Sequence, residues 1–481
     1  MGESLKRQAV KGVAWSAVER FSVQGVQFVL SIILARLVAP SEYGLIAMLG
    51  IFLAIAQSFI DSGFSNALIQ KKDRTETDYS TVFYFNIVVA GIVYGILFLC
   101  SPYVAGFYKE PQLETITKWI GLNIILSAFS IVQRAKLSIK LDFKTQTKAS
   151  LLSVIVSGCI GITLAYQGFG VWALVIQALS SSLLNTLLLW IFAKWRPSLI
   201  FSWASFKILF SFGSKLLLGG LMHTIYMNLY TLVIGRQFSA VNVGYFNRSQ
   251  TLAMFPSTNI TEVIGRVMYP SLCSIQDEEE KLKNVFLQYL RVVSFIVFPL
   301  MIGVSVLSKP LIQVVLTDKW LSAAPLLSIL CIAYMWQPIM IINWQILNVR
   351  GRSDLALKSE IVKKITAFVI LFSTIPLGIK GMCWGLLIYS FVDITIILQF
   401  VKRVMAVNYW IEIKSFTSVF ISSLLMGISV YLIIQLVSNP LIKLIVGGMS
   451  GIILYFGFAI LFKFEEISLI KKKYGYRLWH R

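Results

Sequence analysis

Charged residues are scarce in this chain. Of its 481 residues only 14% are Asp, Glu, Lys or Arg, whereas 57% are hydrophobic. A soluble domain carries about 25% charged residues, so the composition excludes a soluble protein of ordinary kind. Apolar runs of about 20 residues recur along the whole chain, and each is long enough to cross about 30 Å of hydrocarbon. The sequence therefore predicts an all-α polytopic membrane protein, because the short alternating strands of a membrane barrel are missing.

Histidine and cysteine are also rare. The two histidines, His223 and His480, are too few for a histidine-based metal site. The five cysteines are odd in number and scattered through apolar sequence, with no spacing that indicates a metal site or a disulfide framework. We therefore expect neither a metal nor a cofactor.

Long hydrophilic loops are missing as well. Fourteen apolar runs follow one another with short connections, which excludes a large external catalytic loop of the kind expected in a membrane-embedded polysaccharide polymerase or ligase. No phosphate-binding loop is present to drive transport by ATP hydrolysis. We therefore expect a protein that is not an enzyme. The predicted spans are residues 12–37, 44–67, 81–106, 117–139, 149–168, 171–193, 208–236, 244–272, 286–308, 323–348, 357–378, 381–401, 415–436 and 440–462.

Lysine and arginine are distributed unevenly between the two sides of the predicted membrane. With the N-terminus placed inside, 31 of the 43 basic residues lie in or beside inward loops and 6 lie in outward loops. Such an excess marks the cytoplasmic side, so we expect both termini in the cytoplasm. The net charge of +21 is then mostly topogenic, and nucleic acid is not expected as a partner.

Two parts of the chain are similar to each other. The stretch "ILARLVAPSEYGL" resembles "VIGRQFSAVNVGYF", with Arg36 matching Arg236 and Gly44 matching Gly244 at an offset of 200. Farther along, "GFGVWALV" resembles "GIKGMCWGLL", and each links the fifth and sixth spans of its copy. Spans 1–6 and 7–12 are therefore predicted to be parallel repeats, as in several secondary transporters. The predicted domains are an N-lobe at 1–200, a C-lobe at 201–405, and spans 13 and 14 with a basic tail at 406–481.

Polar residues form continuous faces on several predicted spans. On span 1 the helical spacing aligns Ser16, Arg20, Gln24, Gln27 and Ser31, and Glu19 flanks this face. On span 8 it aligns Arg248, Thr251, Phe255, Asn259, Glu262 and Arg266. Further polar or ionisable residues are Asp61 on span 2, His223 on span 7 and Asp393 on span 12.

An ionisable residue at the centre of a span costs about 2.5–3.5 kcal/mol on insertion scales, so it faces a water-filled cavity or pairs with another group. We expect a central cavity between the two lobes, walled by spans 1, 2, 7 and 8. Structural alternatives stay open: Glu262 with Arg266 can be an intrahelical pair, His223 can bond within the bundle, and Asp61 can cap a helix break at Ser62-Gly63.

Several stretches resemble known exporters. The opening "KGVAWSAVERFSVQGVQFVLSIILARLVAPSEYGL", then "DSGFSNALIQKKD", "FYKEPQL", "QRAKLSIKLDFK", "GFGVWALV" and "FGSKLLLGGL", are similar to Wzx-type O-antigen and exopolysaccharide flippases, especially the colanic-acid-like subgroup. These belong to the multidrug/oligosaccharidyl-lipid/polysaccharide (MOP) exporter superfamily. The resemblance covers essentially the whole chain and implies a V-shaped bundle of about fourteen helices that alternates between inward- and outward-open states.

The resemblance also implies a substrate and a location. The substrate would be an undecaprenyl-pyrophosphate-linked oligosaccharide, moved from the cytoplasmic to the periplasmic leaflet of a bacterial inner membrane for cell-surface polysaccharide synthesis. Its partners would be this lipid-linked substrate, membrane lipids, and the polysaccharide polymerase and chain-length machinery. Lipid II flippases of the superfamily hold pyrophosphate with arginines on spans 1, 2 and 8, which this chain matches with Arg20, Arg248 and Arg266. Span 2 departs from that pattern, because it offers Asp61 and no arginine.

The polar faces suit such a substrate. Arginine binds phosphate oxygens through two parallel hydrogen bonds, and amides satisfy sugar hydroxyls. The substrate-binding candidates are Arg20, Gln24, Gln27, His223, Arg248, Asn259 and Arg266. The ion-coupling candidates are Glu19, Asp61, Glu262 and Asp393, although the membrane potential alone, worth about 2.3 kcal/mol per charge per 100 mV, can drive an anion outward. The main alternative is a drug or cation antiporter of the same superfamily, whose cavity should be acidic and aromatic rather than basic.

Overall fold

The computed structural model describes residues 22–61, 64–71, 73–464 and 466, and the regular secondary structure of these residues is entirely helical. Glu19 and Arg20 lie outside them, as do the side chains of Asp61, His223 and Arg266. The described chain divides by its internal contacts into two compact units, one ending at Gly244 and the other starting at Tyr245. The predicted lobe limits at 200 and 405 remain a prediction.

The first unit holds ten helices and the start of an eleventh in its described part. Pro40 opens the second of them, and Asp142 caps the eighth by accepting from the backbone N–H of Thr145. The helices are α1 (Ser22–Leu37), α2 (Pro40–Asp61), α3 (Phe64–Gln70), α4 (Glu76–Tyr108), α5 (Gln112–Ile120), α6 (Leu122–Ala128), α7 (Ile131–Ile139), α8 (Phe143–Tyr166), α9 (Val171–Ala193) and α10 (Trp203–Gln237).

The second unit contains most of α11 and all later helices of the described chain. Prolines stand inside α11 and α12 without ending them, and Pro256 lies within the continuous helix α11. The helices are α11 (Ala240–Cys273), α12 (Glu279–Val306), α13 (Ser308–Val315), α14 (Ala324–Tyr334), α15 (Gln337–Val349), α16 (Ser353–Thr374), α17 (Gly378–Val401), α18 (Tyr409–Gln435) and α19 (Pro440–Leu461), with a 3₁₀ turn at Asp318–Ala323 before α14.

Within the described residues, each of the fourteen predicted spans coincides with a helix or a run of short helices. Ten segments of the described chain are long and apolar enough to cross a membrane, and the longest, Ser353–Val401, contains two predicted spans. The helices α10 and α11, of 35 and 34 residues, are also longer than the ~20 residues that a crossing needs. The prediction of an all-helical polytopic membrane protein is therefore confirmed.

The repeated glycines lie where α2 and α11 begin. A Cβ added to Gly44 would overlap the backbone carbonyl of Ala240, and one added to Gly244 would overlap that of Pro40. The two helix starts thus approach backbone to backbone in a reciprocal way, which only glycine permits. This close approach explains why both copies of the repeat have glycine at this position.

Candidate functional site

The polar residues of α1 have different surroundings. Gln24 is half-buried, and its Oε1 is buried without a hydrogen-bond partner among the described residues. Gln27 is exposed, one helical turn farther along. Ser31 donates from Oγ to the carbonyl of Phe28, 2.8 Å away, as serines inside helices often do. In the described half of the predicted face, the amide of Gln27 is therefore accessible to a ligand, whereas the amide oxygen of Gln24 is not.

Helix α11 packs one face and leaves the other accessible. Its packed residues recur every four positions and are at most 6% exposed. Ser249 donates to the carbonyl of Ala323 at 2.9 Å, and Ser257 to that of Tyr334 at 3.0 Å, which fixes this face against the 3₁₀ turn and α14. The packed residues are Ser249, Ala253, Ser257 and Thr261.

The predicted polar face of span 8 lies opposite that packed face. At 100° per residue, Arg248, Phe255 and Asn259 point about 180° away from Ser257. Phe255 is 37% exposed, Thr251 is exposed and Arg248 is half-buried. The second unit thus builds its core with one side of α11 and leaves a face with a guanidinium, an amide and a carboxylate uncovered by its own packing.

Arg248 stands over an aromatic ring. Its guanidinium carbon is 6.0 Å from the ring centroid of Trp320, which is itself fully buried. Such a contact, at the outer limit of the cation–π range, helps to orient the guanidinium. Asn259 donates from Nδ2 to the carbonyl of Phe255 at 2.8 Å, so its amide oxygen and its second N–H are the groups it can offer to a ligand. Glu262 is half-buried on the same face.

Asp393 is held in an ion pair. Lys363 Nζ lies 3.2 Å from Asp393 Oδ1 and 2.7 Å from Glu360 Oε1, and both members of the first pair are less than a tenth exposed. The sequence predicted Asp393 as an ion-coupling candidate, and Lys363 was not among the predicted site residues. The packing of α16 against α17 brings them together, so any ion that Asp393 binds must compete with a tethered ammonium.

A second buried carboxyl was not expected from the sequence. Glu412 on α18 is 1% exposed and accepts a hydrogen bond from Asn343 Nδ2 of α15, while its other oxygen has no partner among the described residues. Span 13 was predicted to begin at 415, whereas α18 begins at Tyr409. The buried face of α18 runs back from Val419 through Phe416 to Glu412 at helical spacing, and extending that face by one turn finds this residue.

An apolar groove lies between the last helices of the second unit. Its volume is about 450 Å³, and its walls come from α12, α13, α18 and α19. A Cβ added to Gly303 or to Gly448 would meet nothing within 4 Å, so both glycines open onto empty space. The groove is also lined by Ile296, Leu300, Met426, Val430, Ile452 and Tyr455.

The chain matches one family model and several curated relatives. The model for polysaccharide biosynthesis proteins matches residues 33–325. The teichuronic acid biosynthesis protein TuaB of Bacillus subtilis is 27% identical, over 88% of this chain and 89% of that protein. The lipopolysaccharide biosynthesis protein WzxC of Escherichia coli is 27% identical over 84% and 83%, and the succinoglycan biosynthesis transport protein ExoT of Rhizobium meliloti is 24% identical over 68% and 66%.

Solved structures show the same fold. The lipid II flippase MurJ in an inward closed conformation has a TM-score of 0.77 at 14% identity, covering 95% of this chain and all of that one. An inward-facing multidrug resistance MATE family transporter of the MOP superfamily has a TM-score of 0.61 at 13% identity, covering 82% and 98%. The chain therefore has the MurJ- and MATE-like fold.

Proposed function

This chain belongs to the polysaccharide biosynthesis protein family, and we propose that it moves a prenyl-pyrophosphate-linked oligosaccharide across the membrane. Its family, its fold and its relatives make it a multi-pass membrane transporter of polysaccharide biosynthesis and not an enzyme. The lipid-linked substrate, the direction from cytoplasmic to outer leaflet, the bacterial inner membrane and the cytoplasmic termini are parts of the proposal.

The exposed face of α11 carries this proposal. It offers Arg248, oriented by Trp320, together with the amide oxygen of Asn259. A guanidinium matches two phosphate oxygens at once, whereas an organic cation would be repelled by it. We propose that Arg248 contacts the pyrophosphate, and that Arg20, Arg266 and His223 contribute to the same chemistry. The polymerase and chain-length machinery remain proposed partners.

The apolar groove supports a lipid-linked substrate rather than a free sugar. Its walls are almost entirely aliphatic or aromatic, which suits a prenyl chain and would exclude an oligosaccharide. We propose that part of the prenyl tail lies along α12, α18 and α19 while the head group is translocated. A drug antiporter of the same fold would need no groove for a long hydrocarbon chain.

Deletion and complementation test the proposal. In a strain that lacks its own flippase, the wild-type chain should restore surface polysaccharide, and its absence should leave a prenyl-pyrophosphate oligosaccharide on the inner leaflet. Arg248→Ala should fail to complement while inserting normally. Failure of the wild-type chain to change the leaflet distribution of that lipid would contradict the proposal.

A further inference from the structure

A polar pocket lies inside the first unit. Of the substrate-binding candidates whose side chains the structure describes, Gln27 alone lines this pocket. Its volume is about 200 Å³, which is the share of roughly six to seven water molecules and close to the size of a single sugar ring. Its walls come from α1, α6, α7, α8 and α9, and most of its described lining residues are hydroxyl or amide side chains. They include Gln27, Ser130, Arg134, Ser153, Asn185 and Thr186.

The hydroxyls of this pocket present acceptors. Ser130 donates to the carbonyl of Ser127 at 2.9 Å, Ser153 to that of Ala149 at 2.7 Å, and Thr186 to that of Leu126 at 2.9 Å. Since each hydroxyl has one proton and gives it to the backbone, its oxygen lone pairs are what a ligand meets. Asn185 Oδ1 is also buried without a hydrogen-bond partner among the described residues.

Arg134 decides which ligand this set of acceptors fits. Clustered hydroxyl and amide oxygens would also suit a small cation. Arg134, however, is the charged residue among the described lining residues, and its positive charge repels a cation. A neutral polyol donates several hydrogen bonds to such a wall and accepts one from a guanidinium. A sugar ring has this chemistry, and Gln27 at the exposed rim lies where the ring would enter.

We propose that this pocket binds one sugar ring of the transported head group. The proposal rests on the function proposed above and assigns part of that substrate to the first unit. It predicts that sugar recognition is separable from recognition of the pyrophosphate and the prenyl tail.

Two lipids and two matched variants test the assignment. The full-length protein in nanodiscs would be titrated with bare undecaprenyl pyrophosphate and with the lipid-linked oligosaccharide that accumulates in the deletion strain. Asn185→Leu keeps the side-chain size but removes the buried acceptor, so it should weaken binding of the glycosylated lipid by about tenfold and leave binding of the bare lipid unchanged. Ser182→Val in the same wall is a smaller change with the same expected direction.

Asn123→Leu is the control, because Asn123 Oδ1 is likewise buried without a partner in the described first unit but does not line the pocket. It should leave the ratio of the two affinities unchanged. If Asn185→Leu and Ser182→Val leave the ratio of the two affinities unchanged, or weaken binding of both lipids equally, the pocket does not bind a sugar ring. Complementation by the wild-type chain would still support the proposed function in that case. A wild-type chain that neither complements nor binds the glycosylated lipid would overturn both.

Discussion

Lys363 and Asp393 form a buried ion pair between α16 and α17, with 3.2 Å between Lys363 Nζ and Asp393 Oδ1. Glu360 also contacts the Lys363 ammonium and lies 3.7 Å from Lys364, so two cations face two carboxylates at this place. Removing one member of a buried pair leaves the other charge uncompensated, which is far more costly than replacing both by apolar residues. Replacing one member of the pair alone should therefore destabilise the second unit.

We predict that Lys363→Met lowers the free energy of unfolding by about 3–5 kcal/mol. The double variant Lys363→Met, Asp393→Leu should recover most of that loss, because no buried charge is left at position 393. Thermal unfolding in detergent, followed by loss of monodisperse protein, measures both. Lys364→Met is the matched control, since Lys364 is about a third exposed and lies 3.7 Å from Glu360. Equal melting temperatures of Lys363→Met and Lys364→Met would show that the pair of Lys363 and Asp393 does not stabilise the protein.

The limits of sequence reasoning are visible at the same pair. The fourteen predicted spans follow from apolar runs, because the thickness of the hydrocarbon layer sets the length of each span. Lys363 stands in the first third of the predicted span 357–378 and was not among the predicted site residues. Its pairing with Asp393 depends on which helices are neighbours, and helical spacing within one span carries no such information. The exposed face of α11 could be predicted from the sequence, because the helical spacing within one span is enough to align its residues.

The apolar groove gives a prediction that separates lipid binding from stability. Gly448→Leu places a side chain into empty groove without overlapping any atom near the Cβ, so folding should be preserved. Binding of a prenyl pyrophosphate should weaken by about tenfold, because the apolar contacts of several isoprene units are displaced. Gly457→Leu is the control on the same helix, since its Cβ also meets nothing within 4 Å and the residue does not line the groove.

Titration of nanodisc-embedded protein with undecaprenyl pyrophosphate measures this effect. Retention of wild-type affinity in Gly448→Leu, with the control also unchanged, would place the prenyl tail elsewhere. A similar loss in both glycine variants would indicate a general effect of bulk on α19 rather than occupation of the groove.

The glycine contact at the starts of α2 and α11 predicts a steric effect on folding. Gly44→Ala would place its methyl group against the carbonyl of Ala240, and backbone cannot move aside as a flexible side chain can. We expect a loss of about 1–3 kcal/mol or more, seen as a lower yield and a lower melting temperature. Gly50→Ala on the same helix meets only the Asn228 Oδ1 at 3.8 Å and should be neutral or slightly stabilising. If Gly44→Ala and Gly50→Ala have the same melting temperature, the close approach of the two backbones does not constrain the fold.

The two arginines near the start of α11 should have opposite roles. Arg236 is exposed and donates from Nη1 to the carbonyl of Phe107 at 2.6 Å, so it acts within the first unit as a structural anchor. Arg248 lies on the uncovered face of α11. We predict that Arg248→Ala lowers transport at least tenfold with normal thermal stability, and that Arg248→Lys recovers only part of it, because the two parallel hydrogen bonds to phosphate are lost.

Arg236→Ala should show the reverse pattern, with reduced thermal stability and near-normal affinity for the lipid-linked substrate. Leaflet distribution of the accumulated lipid and melting temperature, measured on the same three variants, separate the two roles. Wild-type transport by Arg248→Ala would remove this residue from the substrate site and leave Arg20 and Arg266 as the arginines to be tested for the pyrophosphate contact.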